Sequence, residues 1–179
     1  MQNLRTCLLA VVVAVVPMFV LADGSTAASA RSKMHVEPDA GLIRDIRYYR
    51  STAVTIHRLM GRPATFPLVR HVSLSRARDV WRHRAVRARQ QFVAGPVHRS
   101  AWMCIHRYEG SWRDDEAPYY GGLQMDIGFQ AHYGGVLLRT KGTANNWTPL
   151  EQMWVAEHAF RTGRGFYPWP NTARYCGLI

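Results

Sequence analysis

The chain has 179 residues, 47% of them hydrophobic and 20% charged, with 23 Lys+Arg against 12 Asp+Glu and a formal net charge of +11. That apolar share is globular and excludes wholesale disorder, and the length suits one domain with attachments. Collagen-like, Gln/Asn-rich and tandem-repeat patterns are absent, as is the series of ~20-residue apolar runs that a multi-pass membrane protein needs.

Residues 1–30 read as an address. Arg5 and the amino terminus are positive, Leu8 to Ala22 is a run of 15 uncharged residues, and Ala28-Ser29-Ala30 offers a small-x-small cleavage site. That order predicts a secretory signal peptide and a secreted protein. The alternative is an uncleaved anchor, for which a run containing Pro17 falls short of ~20 residues. Export leaves two of the three cysteines, Cys104 and Cys176, in the mature chain. In an oxidising compartment they most simply pair, closing a loop worth about 4.4 kcal/mol by chain entropy. The other reading is two buried free thiols.

Residues 31–100 hold 15 basic and 4 acidic residues, whereas 101–179 hold 7 of each and five of the six tryptophans. The excess charge therefore belongs to one segment. Leu42, Ile46, Tyr49, Ala53, Ile56 and Met60 step by fours and threes, a helical seam that Gly61-Arg62-Pro63 stops. Ala77, Trp81, Ala85, Ala88 and Phe92 form a second stripe, with six arginines from Arg76 to Arg89 largely off it. Two amphipathic helices are predicted, either as a hairpin or packed onto the C-terminal domain. The arginine forks suit phosphates and carboxylates. Anionic wall polymers or anionic lipid headgroups are the expected partners of 31–100. A solvated face in an arginine-rich composition, 21 Arg to 2 Lys, is the plain alternative. No nucleic acid is expected as a partner of an exported chain.

Residues 101–179 carry the chemistry. Ser100 is the predicted cap of a short helix ending at Gly110. Trp102, Ile105 and Glu109 share one of its faces. Burial on that face and the negative end of the helix dipole both favour the neutral acid at Glu109 over the anion. A protonated carboxyl is what a glycosidic leaving oxygen requires. A surface glutamate on a frayed end is the alternative. Trp112 and the cluster Asp114-Asp115-Glu116 precede Tyr119-Tyr120-Gly121-Gly122-Leu123-Gln124, which reads as a hairpin lining a groove. Tyrosine and tryptophan faces stack on sugars, and Gln124 offers both donor and acceptor to an N-acetyl amide; any one of these aromatics is also ordinary core. Thr148-Pro149-Leu150-Glu151 is a helix start in which Glu151 completes a capping box. Asp114, Asp115, Glu116 and Asp126 are the candidates for a second carboxylate, and spacing separates none of them. No nucleotide or serine-hydrolase motif appears, and Cys104-Ile105-His106 has no second metal pair, so neither cofactor nor metal is expected.

Trp102, Cys104, Glu109, Trp112, Tyr119 to Gln124, the helix around Glu151 to Glu157, and Gly163, Gly165, Trp169-Pro170 and Cys176 together resemble the resuscitation-promoting-factor domain. That family is the transglycosylase-like branch of the lysozyme superfamily. The resemblance covers about residues 101–179. It departs at Cys104, which lies five residues before Glu109 instead of directly before it, and at the shortened Gly110-Ser111. It implies an α+β, mainly helical, lysozyme-like domain after the basic segment. The implied activity is cleavage of the β-1,4 bond between N-acetylmuramic acid and N-acetylglucosamine in peptidoglycan. Glu109 takes the catalytic place, and Tyr119, Tyr120, Gly121 and Gln124 the glycan groove, with Trp112 and Trp169 as further sugar-binding candidates. The rival expectation is a non-catalytic or weakly catalytic wall-binding or signalling protein using the same groove.

Overall fold

The computed structural model describes residues 38–179; the signal peptide predicted over 1–30 and the start of the basic segment lie outside them. Helix α1 (Pro38–Leu59) and helix α2 (Leu74–Ala94) pair as the seams predict. Ala53 of α1 and Ala85 and Ala88 of α2 are buried, as is Met60 just past α1, while most arginines stay exposed. Small residues let the two axes approach. Ser73 caps α2 by accepting from the Arg76 N–H, which satisfies one donor left over at the helix start.

This hairpin packs onto the rest of the chain. The Trp154 indole donates to the Phe92 carbonyl at 3.0 Å, and the two rings stack. Arg161 donates to the Met60 carbonyl just past the C-terminal end of α1. Burial pushes the Arg161 guanidinium down from its ordinary range, against the opposing pull of Glu157, and the neighbouring Arg62 adds to the depression.

Beyond Gly95 come helix α3 (Arg99–Glu109), strands β1 (Tyr119–Tyr120) and β2 (Met125–Asp126), and helices α4 (Ile127–Lys141), α5 (Pro149–Ala159) and α6 (Pro170–Tyr175). The strands are antiparallel, with Tyr119 opposite Asp126 and Tyr120 opposite Met125. The described residues are thus mainly helical with one small two-stranded sheet. Helix α3 begins at Arg99, one residue before the predicted cap Ser100, because the His98 carbonyl already accepts from the Trp102 N–H. The His98 side chain does not cap the helix; it turns to the buried Glu157, which also accepts from the Trp102 indole at 2.9 Å. Helix α5 starts with the predicted capping box of Thr148 and Glu151, and Lys141 adds an ion pair to that carboxylate at 2.7 Å.

The core is aromatic. Trp102, Trp147, Phe166 and Trp169 meet Ile105, Leu123, Met125 and Val155 inside it. Among its buried polar side chains is Gln152, fully buried on α5. Its amide oxygen accepts from the Gly122 N–H, and its nitrogen reaches the carbonyls of Trp112, Ala144 and Trp147. One side chain thereby ties the hairpin, the preceding loop and the turn Ala144–Asn146 to α5, leaving few buried backbone groups unpaired there.

Candidate functional site

The site begins at the end of α3. Trp102 and Ile105 anchor one helix face in the core, so Glu109 leaves the last turn from that face and is half-buried. Gly110 stops the helix with φ 134°, a conformation that costs glycine little.

Glu109 meets Thr172 of α6, whose hydroxyl lies 2.7 Å from Glu109 Oε1. The same hydroxyl is 3.4 Å from the Trp169 carbonyl. A hydroxyl has one proton and can also accept. With Glu109 ionised, Thr172 donates to it. With Glu109 neutral, the carboxyl proton is donated to Thr172, whose own proton turns to Trp169. The contact is satisfied in both states.

Around this carboxylate lies a cleft of about 210 Å³, lined by Glu109, Tyr119, Gln124, Pro168, Trp169, Pro170 and Asn171. It is smaller than the ~300–1,000 Å³ of enclosed small-molecule pockets, as suits an open trough contacting part of a polymer. Tyr119 is half-exposed at its edge, whereas Trp169 is 5% exposed and donates its indole N–H to the Leu123 carbonyl at 2.6 Å. Trp169 is therefore a fixed wall of the cleft and part of the core at once.

Gln124 sits at φ 45°, a region that costs a non-glycine residue energy unless its surroundings hold it there. They do: its amide nitrogen donates to Asp114 Oδ2 at 2.7 Å and to the Gly121 carbonyl at 3.1 Å. Both amide protons are thus used within the protein. The expectation that Gln124 presents donor and acceptor alike is corrected accordingly, since only its oxygen is left to accept from a ligand N–H.

Tertiary structure also separates the acidic candidates. Asp114 is half-buried beside Gln124, and its other oxygen accepts from the Glu116 N–H. Asp115 and Glu116 are exposed, and Asp126 caps α4 by accepting from the Phe129 N–H at 2.8 Å. Among the described lining residues Glu109 is the sole carboxylate of the cleft.

Trp112, Tyr120 and Gly121 do not line the cleft; they hold the hairpin from behind. The Trp112 ring stacks on His106 with centroids 3.8 Å apart, and the Gly122 backbone lies against that stack. A methyl group at Gly122 would fall 2.5 Å from His106 Nδ1, and one at Gly121 would fall 2.5 Å from Gln152 Oε1. The Gly-Gly step is thus required by close approach to the core. Tyr120 packs against the same core.

The disulfide Cys104–Cys176 is formed. It joins the two helical segments that carry Glu109 and Thr172, with Cys176 one helical turn beyond Thr172. Sequence reasoning missed Thr172 and Asn171: they follow an irregular aromatic stretch, and a lone threonine carries no periodic signal. Among the described residues no cluster of three or more His, Cys, Asp or Glu side chains could hold a metal ion.

In comparisons with known proteins, no family model, curated protein or solved structure matched the chain.

Proposed function

We propose that the chain is a secreted, wall-associated muralytic enzyme. In this reading residues 101–179 form a lysozyme-like domain that cleaves the β-1,4 bond between N-acetylmuramic acid and N-acetylglucosamine. The observation that carries it is the half-buried Glu109, the one carboxylate among the described residues lining the trough, braced by Thr172 and edged by Tyr119, Gln124 and Trp169. The disulfide supports an oxidising compartment.

In the proposed reaction the Glu109 carboxyl proton passes to the glycosidic oxygen as the C1–O bond breaks. The Glu109 carboxylate then takes the proton of the attacking hydroxyl. With one carboxylate in the cleft, that hydroxyl belongs to the muramic sugar itself, and the product is a 1,6-anhydro end. Attack by water would give a reducing end and needs a second carboxylate near the sugar. Asp114 already holds Gln124 and Glu116. The Gln124 oxygen, on a residue that lines the trough, suits the N–H of an N-acetyl group.

Mass spectrometry of muropeptides released by the purified protein tests the reading. Anhydro-muramyl ends are expected, and Glu109→Gln lowers their release about 10²–10⁴-fold with the fold intact. Glycan binding with no soluble product from the wild-type protein would instead establish the rival, a non-catalytic wall-binding protein.

A further inference from the structure

A second cavity, sharing no lining residue with the cleft, lies where the basic hairpin meets the domain. It holds about 550 Å³, between the end of α1 and helices α4 and α5. Its described lining carries three arginines and two histidines, Arg58, Arg62, Arg139, His132 and His158, and no carboxylate.

The arginine charges are not spent elsewhere. Arg62 donates to the neutral Gln91 amide and lies over the Trp154 ring at 5.7 Å, so its position is set but its charge stays uncompensated. Arg62 is also close enough to repel Arg161. Arg58 and Arg139 are exposed and form no ion pair among the described residues. The C-terminal end of α1 offsets part of this charge, but a helix end supplies only about half a unit. Three guanidinium groups around one concavity repel one another, and an anion relieves that repulsion.

The geometry separates anion classes. The three arginines come from α1, from the turn after it and from α4, and the histidines from α4 and α5. A carboxylate offers two oxygens in one plane. A phosphodiester sets its two non-bridging oxygens out from a tetrahedral phosphorus, with the ester oxygens on the other sides, and so suits donors carried on three separate elements better than a planar group does.

We infer that this cavity is a binding site for a phosphodiester group of a soluble anionic polymer, held chiefly by Arg58, Arg62 and Arg139. It would seat the protein on a phosphate-bearing wall polymer independently of the glycan cleft, and it stands whether or not the chain cleaves peptidoglycan.

Calorimetric titration of the purified full chain with a soluble oligo(glycerol phosphate) tests this. Arg58→Ala/Arg139→Ala is expected to weaken binding at least tenfold. Arg70→Ala/Arg82→Ala, which removes the same charge from exposed positions outside the cavity, is expected to change it less than twofold. Thermal unfolding of both variants shows that each is folded. Equal weakening by the two pairs would overturn the site in favour of diffuse attraction. Equally tight binding of oligoglutamate, lost with the same Arg58/Arg139 pair, would overturn the phosphate assignment. Binding to phosphatidylglycerol vesicles without binding to the oligomer would overturn the soluble polymer in favour of a membrane surface.

Discussion

The hydroxyl of Thr172 stands 2.7 Å from Glu109 Oε1, although 63 residues separate the two in the chain. The pair spans α3 and α6, and the Cys104–Cys176 disulfide crosses between the same segments. Its geometry makes Thr172 a positioning residue for the proposed acid. Thr172→Val keeps the shape and removes the hydroxyl. It is expected to lower the rate of muropeptide release about tenfold, the equivalent of ~1.4 kcal/mol for a hydrogen bond to a charged group. Thr172→Ser should restore most of it. An unchanged kcat in the valine variant would show the contact to be incidental.

Asp114 acts through Gln124. Asp114→Asn keeps the size but loses the charged acceptor for the Gln124 amide, whose strained backbone then has a weaker hold. The expected effect falls on substrate affinity: KM rises about tenfold, roughly 1.4 kcal/mol of lost positioning, with kcat within about twofold. A large fall in kcat with KM unchanged would instead place Asp114 in the chemistry itself.

Gln152 satisfies four backbone groups from three segments. Gln152→Leu fits the volume but leaves those buried groups unpaired, at about 1–3 kcal/mol for each one that finds no water. We expect a loss of at least ~3 kcal/mol in denaturant unfolding. A loss below ~1 kcal/mol would mean that the hairpin is held by its aromatic contacts alone.

Removing the disulfide relaxes the unfolded chain and frees α6 from α3. Cys104→Ser/Cys176→Ser should destabilise the protein by about 4 kcal/mol on the chain-entropy account, read as a lower urea midpoint with a steeper slope, because the unfolded chain without its cross-link exposes more surface. Stability indifferent to reductant in the wild-type protein would contradict this.

Arg161 joins the hairpin to the domain through the Met60 carbonyl, and partial desolvation pushes its guanidinium down from the ordinary range. Arg161→Met removes both the cation and its donor. Amide exchange across residues 38–94 is expected to speed about tenfold while α3 and α5 stay protected, because the remaining hairpin contacts are few and local. Uniform protection would show that Trp154 and Phe92 suffice.

Much was legible from local pattern. The seams Leu42 to Met60 and Ala77 to Phe92 give two helices because apolar residues at threes and fours must share a face. Thr148-Pro149 and Glu151 start α5 through hydrogen bonds only three residues long. The Tyr-Tyr-Gly-Gly step yields a hairpin for similarly local reasons. Ser100 misled because an eligible cap residue does not say where the first helical carbonyl falls; His98 supplies it.

The chain by itself determined helices α1, α2, α3 and α5, its short hairpin, its split between basic and neutral halves and the place of Glu109 at a helix end, whereas α4 and α6 carry no comparable local signal. Tertiary structure alone decided that Thr172 faces that carboxylate, that Asp114 holds Gln124, that Trp112 supports the cleft from behind, and that arginines from three elements surround one cavity. The physical reason is range. Periodicity, caps and turns act within a few residues, whereas Asp114 and Gln124 lie 10 residues apart, Glu109 and Thr172 lie 63 apart, and α1 meets α4 only when helices pack.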